Sequence, residues 1–443
     1  MAKLDEHPTV VRHRDRPEVR PPGLLNAGRL RQICLDAGAD DVGFVAIDRP
    51  ELDDQRADLL RAFPWTRSLV SIVCRMNREP VRSPARSVAN VEFHHTGDRT
   101  NEVAHAIVGA LEALGHRAAN PPMGFPMEMA NFPGKVWVVS HKPVAVAAGL
   151  GQMGIHRNVI HPKFGNFILL ATIMIDAELS EESEPLDYNP CLGCKLCVAA
   201  CPVGAIGADG HFDFSSCYTH NYREFMGGFG DWVENIVESR DALDYRTRVS
   251  DPETVSLWQS LSFGANYKAA YCMAVCPAGE DVIGPFLDDR KQFLKSVVDP
   301  LQKKEETLYV VPGSDAQEYA RKRFPHKPTR AIGNGLRPGS IAAFLSSMPL
   351  VFQRNQSEGL AATYHFTFTG KEPARATVTI LDRTIRVEDG HAGTPDLTIT
   401  ADSRAWLGFL RKERSLVWAL LTRKVRLKGS PRLLVAFGKC FPS

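Results

Sequence analysis

Seven of the ten cysteines fall between residues 191 and 276, and their spacing constrains the chain more than anything else in it. Residues 190–202 read PCLGCKLCVAACP, which sets Cys191, Cys194, Cys197 and Cys201 in the order C-x2-C-x2-C-x3-C-P. Three cysteines two residues apart let a tight loop wrap one iron–sulfur cube corner by corner, while the fourth, entering a helix, points to a second cube. Cys217 follows alone, and AAYCMAVCP then supplies Cys272, Cys276 and Pro277, an ending that mirrors the first run. By the crossover of such runs, Cys276 completes a [4Fe–4S] cluster with Cys191, Cys194 and Cys197. Cys201, Cys217 and Cys272 are left for a second. The regular motif would set another cysteine at 269, where this chain has Ala269. The second cluster is therefore [3Fe–4S], [4Fe–4S] with a foreign or solvent ligand, or degenerate. Zinc, which thiolates also bind, takes paired cysteines with a longer gap between the pairs.

The other three cysteines, Cys34, Cys74 and Cys440, stand alone in apolar surroundings and read as buried core thiols. Ten cysteines in 443 residues are too few for a disulfide scaffold. A net charge of +2 gives no electrostatic reason to expect nucleic acid, and none is expected. No run of eighteen apolar residues occurs, and the N-terminal stretch lacks the apolar core of a secretory signal, so the expected place is the cytoplasm.

The length suggests several units. Residues 1–23, rich in Arg and Pro, read as a surface arm. Residues 24–185 form an α/β module: a helix over Leu24–Ala37, strands at Asp41–Ile47, Ser68–Cys74 and Phe167–Ile175, and an amphipathic helix over Asn101–Leu114. The loop at 121–133, rich in Pro and Met, is a candidate wall or lid. Residues 186–300 are the cysteine module, 301–337 read as a linker, and 338–443 show an α+β pattern.

On these motifs, residues 24–290 resemble the corrinoid iron–sulfur reductases, the group of epoxyqueuosine reductases and reductive dehalogenases. The stretch HKPVAVAAGLGQMGIHRNVIHPKFGNFILLATIMIDAEL, followed by the first cysteine run, is similar to that family's cobalamin-cradling segment. The resemblance implies a nitroreductase-like α/β corrinoid module with a ferredoxin-like two-cluster insert. Electrons would pass from an external donor (ferredoxin, flavodoxin or a reductase) through the clusters to bound cobalamin. It points to His141, Lys142, Gly149, Gly151, Gly154, His156 and Arg157 as cofactor-binding residues. Small residues permit close approach of a flat ligand, and the cationic and imidazole side chains would meet its polar rim. Lys142 is the basic catalytic candidate and Asp98 the acidic one. The family's proton-donating acid has no counterpart near Lys135–His141, and the dehalogenase tyrosine is not placed. A helical-repeat tail is missing, which argues against a modified tRNA substrate.

Residues 338–440 instead resemble the sterol carrier protein-2 fold, most distinctively at TPDLTITAD. That resemblance implies an apolar tunnel and a sterol- or acyl-like ligand, with Phe366, Phe368, Trp406, Leu410, Trp418 and Leu421 as lining candidates. The expected protein is an oxidoreductase whose clusters reduce a corrinoid, which reduces a hydrophobic substrate by dehalogenation or related bond cleavage or hydrogenation. An electron carrier without corrinoid, or a lipid carrier with a structural or sensing cluster, are the alternatives.

Overall fold

A computed structural model describes residues 4–15, 23–122, 137–335 and 337–442. Most of the loop expected as a lid lies outside these residues. Within the expected arm, Pro8–Arg14 is a short exposed helix.

The α/β module is built on four strands: β1 (Asp41–Ala46), β2 (Ser68–Arg75), β3 (Ala118–Ala119) and β4 (Ile168–Ile175), in the order β1-β2-β4-β3. All neighbours are antiparallel, with Asp41 opposite Val73 and Ser68 opposite Ile175. Apart from Arg75, every residue of β2 is buried, because SLVSIVC offers apolar or small groups to both faces. The expected first helix begins later, at Ala27. Leu24–Leu25 instead pairs in parallel with Glu178–Leu179, and the Asn26 side chain accepts from Arg29 N at 2.8 Å to start the helix.

Helix α1 spans Arg86–Ala113 and so begins about four turns before the expected start at Asn101. Its first half buries Glu92, Thr96, Gly97 and Thr100, so a hydrophobic period is absent there although the helical one persists. The Glu92 carboxylate accepts from Asn77 N and Thr96 Oγ1, which satisfies the buried charge. His94 and His95 lie within this helix. Helix α2 (His141–Ala147) packs on β4 and β2.

The cysteine module carries α3 (Leu196–Ala200), α4 (Phe214–Asn221) and α5 (Tyr271–Val275). The stretch expected as a linker is folded: β5 (Leu308–Val310) and β6 (Thr329–Ala331) pair in parallel around α6 (Asp315–Arg323). Leu301, Val310 and Ala316 enter the same core as Cys197 and Cys201, an apolar demand that the high Lys and Arg content concealed.

The C-terminal domain has helix α7 (Ile341–Val351), then β7 (Ala362–Thr369), β8 (Ala374–Leu381), β9 (Thr384–Asp389) and β10 (Leu397–Asp402). Helices α8 (Ser403–Leu410) and α9 (Leu416–Leu421), strand β11 (Val425–Gly429) and helix α10 (Pro431–Lys439) complete it. The sheet order is β9-β8-β7-β10-β11, and β7 with β10 is its parallel pair. Ala362, Tyr364, Phe366 and Phe368 alternate inward along β7, meeting Phe344, Trp406 and Phe437 from the helices. Each such fully buried aromatic contributes about 1.5–3 kcal/mol relative to exposure.

Candidate functional site

The two cysteine runs repeat one backbone device. Lys195 sits at φ 54° and opens α3, which ends at Cys201; Ala270 sits at φ 54° and opens α5, which ends at Cys276. The two short helices pack on each other. Cys191, Cys194, Cys197 and Cys276 line one open cavity of about 390 Å³, with Ile155, Gly193 and Pro277 among its walls. Ile155 N lies 3.4 Å from Cys191 Sγ and Ala205 N lies 3.3 Å from Cys201 Sγ, as donors to sulfur. Such amide donors stabilise charge on cluster sulfurs.

Cys201, Cys217 and Cys272 gather in a second group, each within electrostatic reach of another. Burial pushes the Cys276 thiol up to about 12 and Cys272 to about 11, so metal-free thiols stay protonated and loading with iron must release protons. Among the described residues no three His, Cys, Asp or Glu side chains converge as they would on a single ion. A cube holds its thiolates further apart than one ion does, since each binds a different iron.

Two arginines, Arg86 buried and Arg82 partly buried, stand behind the groups. Arg86 bonds Val81 O at 3.1 Å and Ser83 O at 3.0 Å and stacks on Tyr271, while its Nε and Nη2 have no partner. Arg82 lies over Phe167 and Phe293, likewise with Nε and Nη2 unpartnered. Arg86 acts electrostatically on Cys272, and Arg82, which also pairs with Glu79 at 3.7 Å, on Cys276, so each group has a nearby cation. Burial lowers the pKa of both guanidiniums.

Beside the second group is a recess. Lys142 is exposed at its edge, and desolvation by the surrounding protein lowers its ammonium pKa against the pull of Cys272 and Cys217. Its Nζ donates to Arg157 O at 2.7 Å and Asn158 Oδ1 at 2.9 Å, and Asn158 Nδ2 lies 3.8 Å from Cys272 Sγ. Arg157, exposed at φ 61°, edges the same turn. Tyr222 and Tyr267 form an aromatic wall with Phe225 and Phe93, ring centroids 5.0–5.8 Å apart. Burial and the neighbouring Cys217 push the Tyr222 phenol well above its usual range. Sequence reasoning passed over both tyrosines. The signal was spacing: Tyr222 stands five residues after Cys217 and Tyr267 five before Cys272.

The other expected residues lie elsewhere. Asp98 is on the exposed face of α1, opposite the buried positions 96, 97 and 100, and is not joined to Lys142 by any bond among the described residues. His141 is buried between Thr172 Oγ1 at 2.9 Å and Pro122 O at 3.3 Å, and burial lowers its pKa to about 4. His156 is buried too: its Nδ1 accepts from Asn158 N at 3.1 Å and its Nε2 lies 3.4 Å from the Asn166 amide. Both ring nitrogens of each are engaged by protein groups, and His156 also lines the cavity of Cys191, Cys194, Cys197 and Cys276.

The glycines serve the chain itself. A Cβ at Gly149 would come 2.5 Å from Glu184 O, one at Gly151 2.5 Å from Ile160 O, and one at Gly154 2.9 Å from the His156 ring. On the side where a Cβ would stand, each is closed by neighbouring protein. Of the seven residues expected to hold a corrinoid, Lys142 and Arg157 face open space.

In the C-terminal domain, Phe366, Phe368 and Trp406 close on one another with Phe344, Leu410 flanks them, and Trp418 and Leu421 are 43% and 79% exposed. The six residues therefore do not line one tunnel. Helix α9 is too short to turn both ends inward, and Trp418 stacks outward under Arg414. The Trp406 indole N–H is buried without a partner. This domain meets the cysteine module at Gln353: Asp315 N donates to Gln353 Oε1 at 2.8 Å, and Gln353 Nε2 donates to Asp213 Oδ2 at 3.4 Å. Asp213 in turn caps α4, the helix of Cys217. Arg354 pairs with Asp209 across the same junction.

Comparison with known proteins completes the picture. Residues 184–207 match the model of the 4Fe-4S binding domain, and residues 352–442 that of the SCP-2 sterol transfer family. An epoxyqueuosine reductase of Cellulophaga algicola is 24% identical over 265 residues, which are 53% of this chain and 82% of that protein. One of Cyclobacterium marinum is 33% identical over 118 residues, 24% of this chain and 38% of that protein. Among solved structures, epoxyqueuosine reductase from Streptococcus thermophilus aligns over 61% of this chain and 74% of its own with a TM-score of 0.34 and 15% identity. Palmitated SCP2L2 from Aedes aegypti aligns over 23% and 94% with a TM-score of 0.19 and 18% identity. The chain is thus similar over about half its length to epoxyqueuosine reductases, and it carries segments that match the 4Fe-4S binding domain and, toward its C-terminal end, the SCP-2 sterol transfer family.

Proposed function

We propose that the chain passes single electrons through two clusters to a substrate site in the recess beside Cys217 and Cys272, and that its C-terminal domain supplies an apolar substrate. The observation that carries this reading is the division of the cysteines: Cys191, Cys194, Cys197 and Cys276 line one cavity, while Cys201, Cys217 and Cys272 gather beside Lys142. An external donor, such as a ferredoxin, flavodoxin or reductase, would dock near the partly exposed Cys191 and Cys194. The electrons would leave at the second group. This chemistry belongs in the cytoplasm, where such donors work. Among the described residues no helix is long and apolar enough to cross a membrane.

A corrinoid in the recess would be held at its rim by Lys142 and Arg157. It would supply a metal that changes its charge one electron at a time and attacks an activated bond. The chain's own residues supply the rest. Lys142, its basicity lowered by burial, is a ready proton donor where the reduced product needs one. Tyr222 and Tyr267 keep the site aromatic and short of water. The unpartnered Trp406 N–H awaits an acceptor such as a lipid carboxylate or hydroxyl.

The relationship to epoxyqueuosine reductases favours a second reading, in which the substrate is the epoxide of that modified tRNA nucleoside. Anaerobic purification from cobalamin-supplied cells, with iron, sulfide and cobalt counted per chain, tests the shared core. The reduced protein is then offered apolar halogenated or unsaturated compounds and, separately, epoxyqueuosine-bearing tRNA. Cobalt near one per chain with turnover of the apolar set supports the first reading, and turnover of the tRNA alone the second. Iron without cobalt and without turnover would leave an electron carrier.

A further inference from the structure

The repeat of the two cysteine runs aligns Cys201 with Cys276, Cys197 with Cys272, and Cys194 with Ala269. The backbones agree at these positions: φ is 54° at both Lys195 and Ala270, and the chain leaves both helices extended, with ψ 117° at Cys201 and 122° at Cys276. Cys194 lines the first cavity. Ala269, in the equivalent place, is buried in the same apolar core as Cys217 and Cys272. The corner is therefore built, but it ends in a methyl group.

Its neighbours are committed elsewhere. Asn221 Oδ1 accepts from both Ala269 N and Ala270 N at 3.0 Å. Lys268 pairs with Glu224, and Asn266 Nδ2 donates to the same carboxylate. Asp213 accepts from Ser216 N at 2.9 Å as the cap of α4.

We infer that the second cluster, held by Cys201, Cys217 and Cys272, has one iron without a protein ligand at the Ala269 corner, so that this corner is a reversible binding site for a ferrous ion. The inference rests on the reading that the cysteines hold clusters. One-electron oxidation by ferricyanide then runs as [4Fe–4S]²⁺ → [3Fe–4S]⁺ + Fe²⁺ + e⁻, the electron reducing ferricyanide to ferrocyanide. Ferrous ion with a thiol reductant reverses it. The first cluster, with four thiolates, keeps its iron.

The test is paramagnetic resonance and iron counting on the full chain, purified anaerobically. Stoichiometric ferricyanide is expected to bring up a three-iron signal of about one spin per chain and to lower the iron from about eight to about seven. Added Fe²⁺ with dithiothreitol should erase the signal. In Ala269→Cys, which supplies the absent thiolate, the signal should fall at least tenfold under the same oxidation. A parent protein whose clusters give no three-iron signal, or a variant that gives as much as the parent, would overturn the inference. A chain purified with no iron or sulfide would instead sink the cluster reading beneath it.

Discussion

The two cysteine groups share a backbone and differ in nearly everything else. The first has four thiolates around one cavity; the second has three, an alanine in the fourth place, and a recess with an ammonium at its edge. A left-handed residue followed by a five-residue helix is enough to aim two cysteines, whether or not the third thiolate is there. Ligand number can thus change without disturbing the fold. What sets the groups apart is their surroundings, and each prediction below separates one from the other.

The largest effect should come from removing two thiolates of the first group. Cys191→Ala with Cys276→Ala leaves Cys194 and Cys197 alone, so the first cluster should be lost with roughly half the iron, while the three-iron signal of the second remains. Loss of that signal as well would show that the groups are one folding unit. Such coupling has a visible route, since α3 and α5 pack together.

Acid should act on the second group first. His141 opens α2, the helix that carries Lys142, and is held neutral because burial lowers its pKa to about 4. A histidine whose folded pKa lies below its unfolded value stabilises fully above about 6.5 and loses that contribution as pH falls toward 4. At about 1.4 kcal/mol per unit, this amounts to about 3 kcal/mol at most. Acidification across that window should release iron from the second cluster before the first, and His141→Gln should flatten the dependence of melting temperature on pH. Equal release from both would break the comparison.

The arginines sharpen it further. A nearby cation favours the reduced, more negative cluster, so Arg86→Gln should lower the potential of the second cluster and Arg82→Gln that of the first. For about 1–2 kcal/mol of lost interaction with a charged group, each shift is roughly 50–100 mV. Redox titration followed by resonance reads the two separately. Shifts of both clusters by either variant would mean that the arginines act through the fold and not on their own cluster.

Much of this was legible in the sequence, and the exceptions have physical causes. The cysteine run declares itself because cluster geometry tolerates few spacings, and β2 and β7 declare themselves by continuous and alternating burial. The first half of α1 was hidden because its buried face is polar and hydrogen-bonded. The pair β5 and β6 was hidden by surface lysines and arginines around a few buried aliphatics. Gly149, Gly151 and Gly154 could be read two ways in the sequence, because a close approach to the chain's own carbonyls and ring needs the same residues as a close approach to a ligand. Tyr222 and Tyr267 needed the third dimension, since nothing in a spacing of five says which way a ring turns.

The smallest effect concerns the junction with the C-terminal domain. Gln353 is buried, accepts from Asp315 N and donates to Asp213, whose carboxylate caps the helix of Cys217. Burial raises the Asp213 carboxyl pKa, so its donors matter to keeping it ionised. Gln353→Ala removes one of those donors and leaves the Asp315 amide unpaired, at a cost of about 1 kcal/mol. The change should lower the melting temperature by a few degrees and speed loss of the labile iron from the second cluster, with the first untouched. If the SCP-2 domain only hangs beside the cysteine module, iron loss will be unchanged and melting alone will shift. If it steadies α4, the two readouts will move together, and the C-terminal domain will also be holding the cluster beside the recess in place.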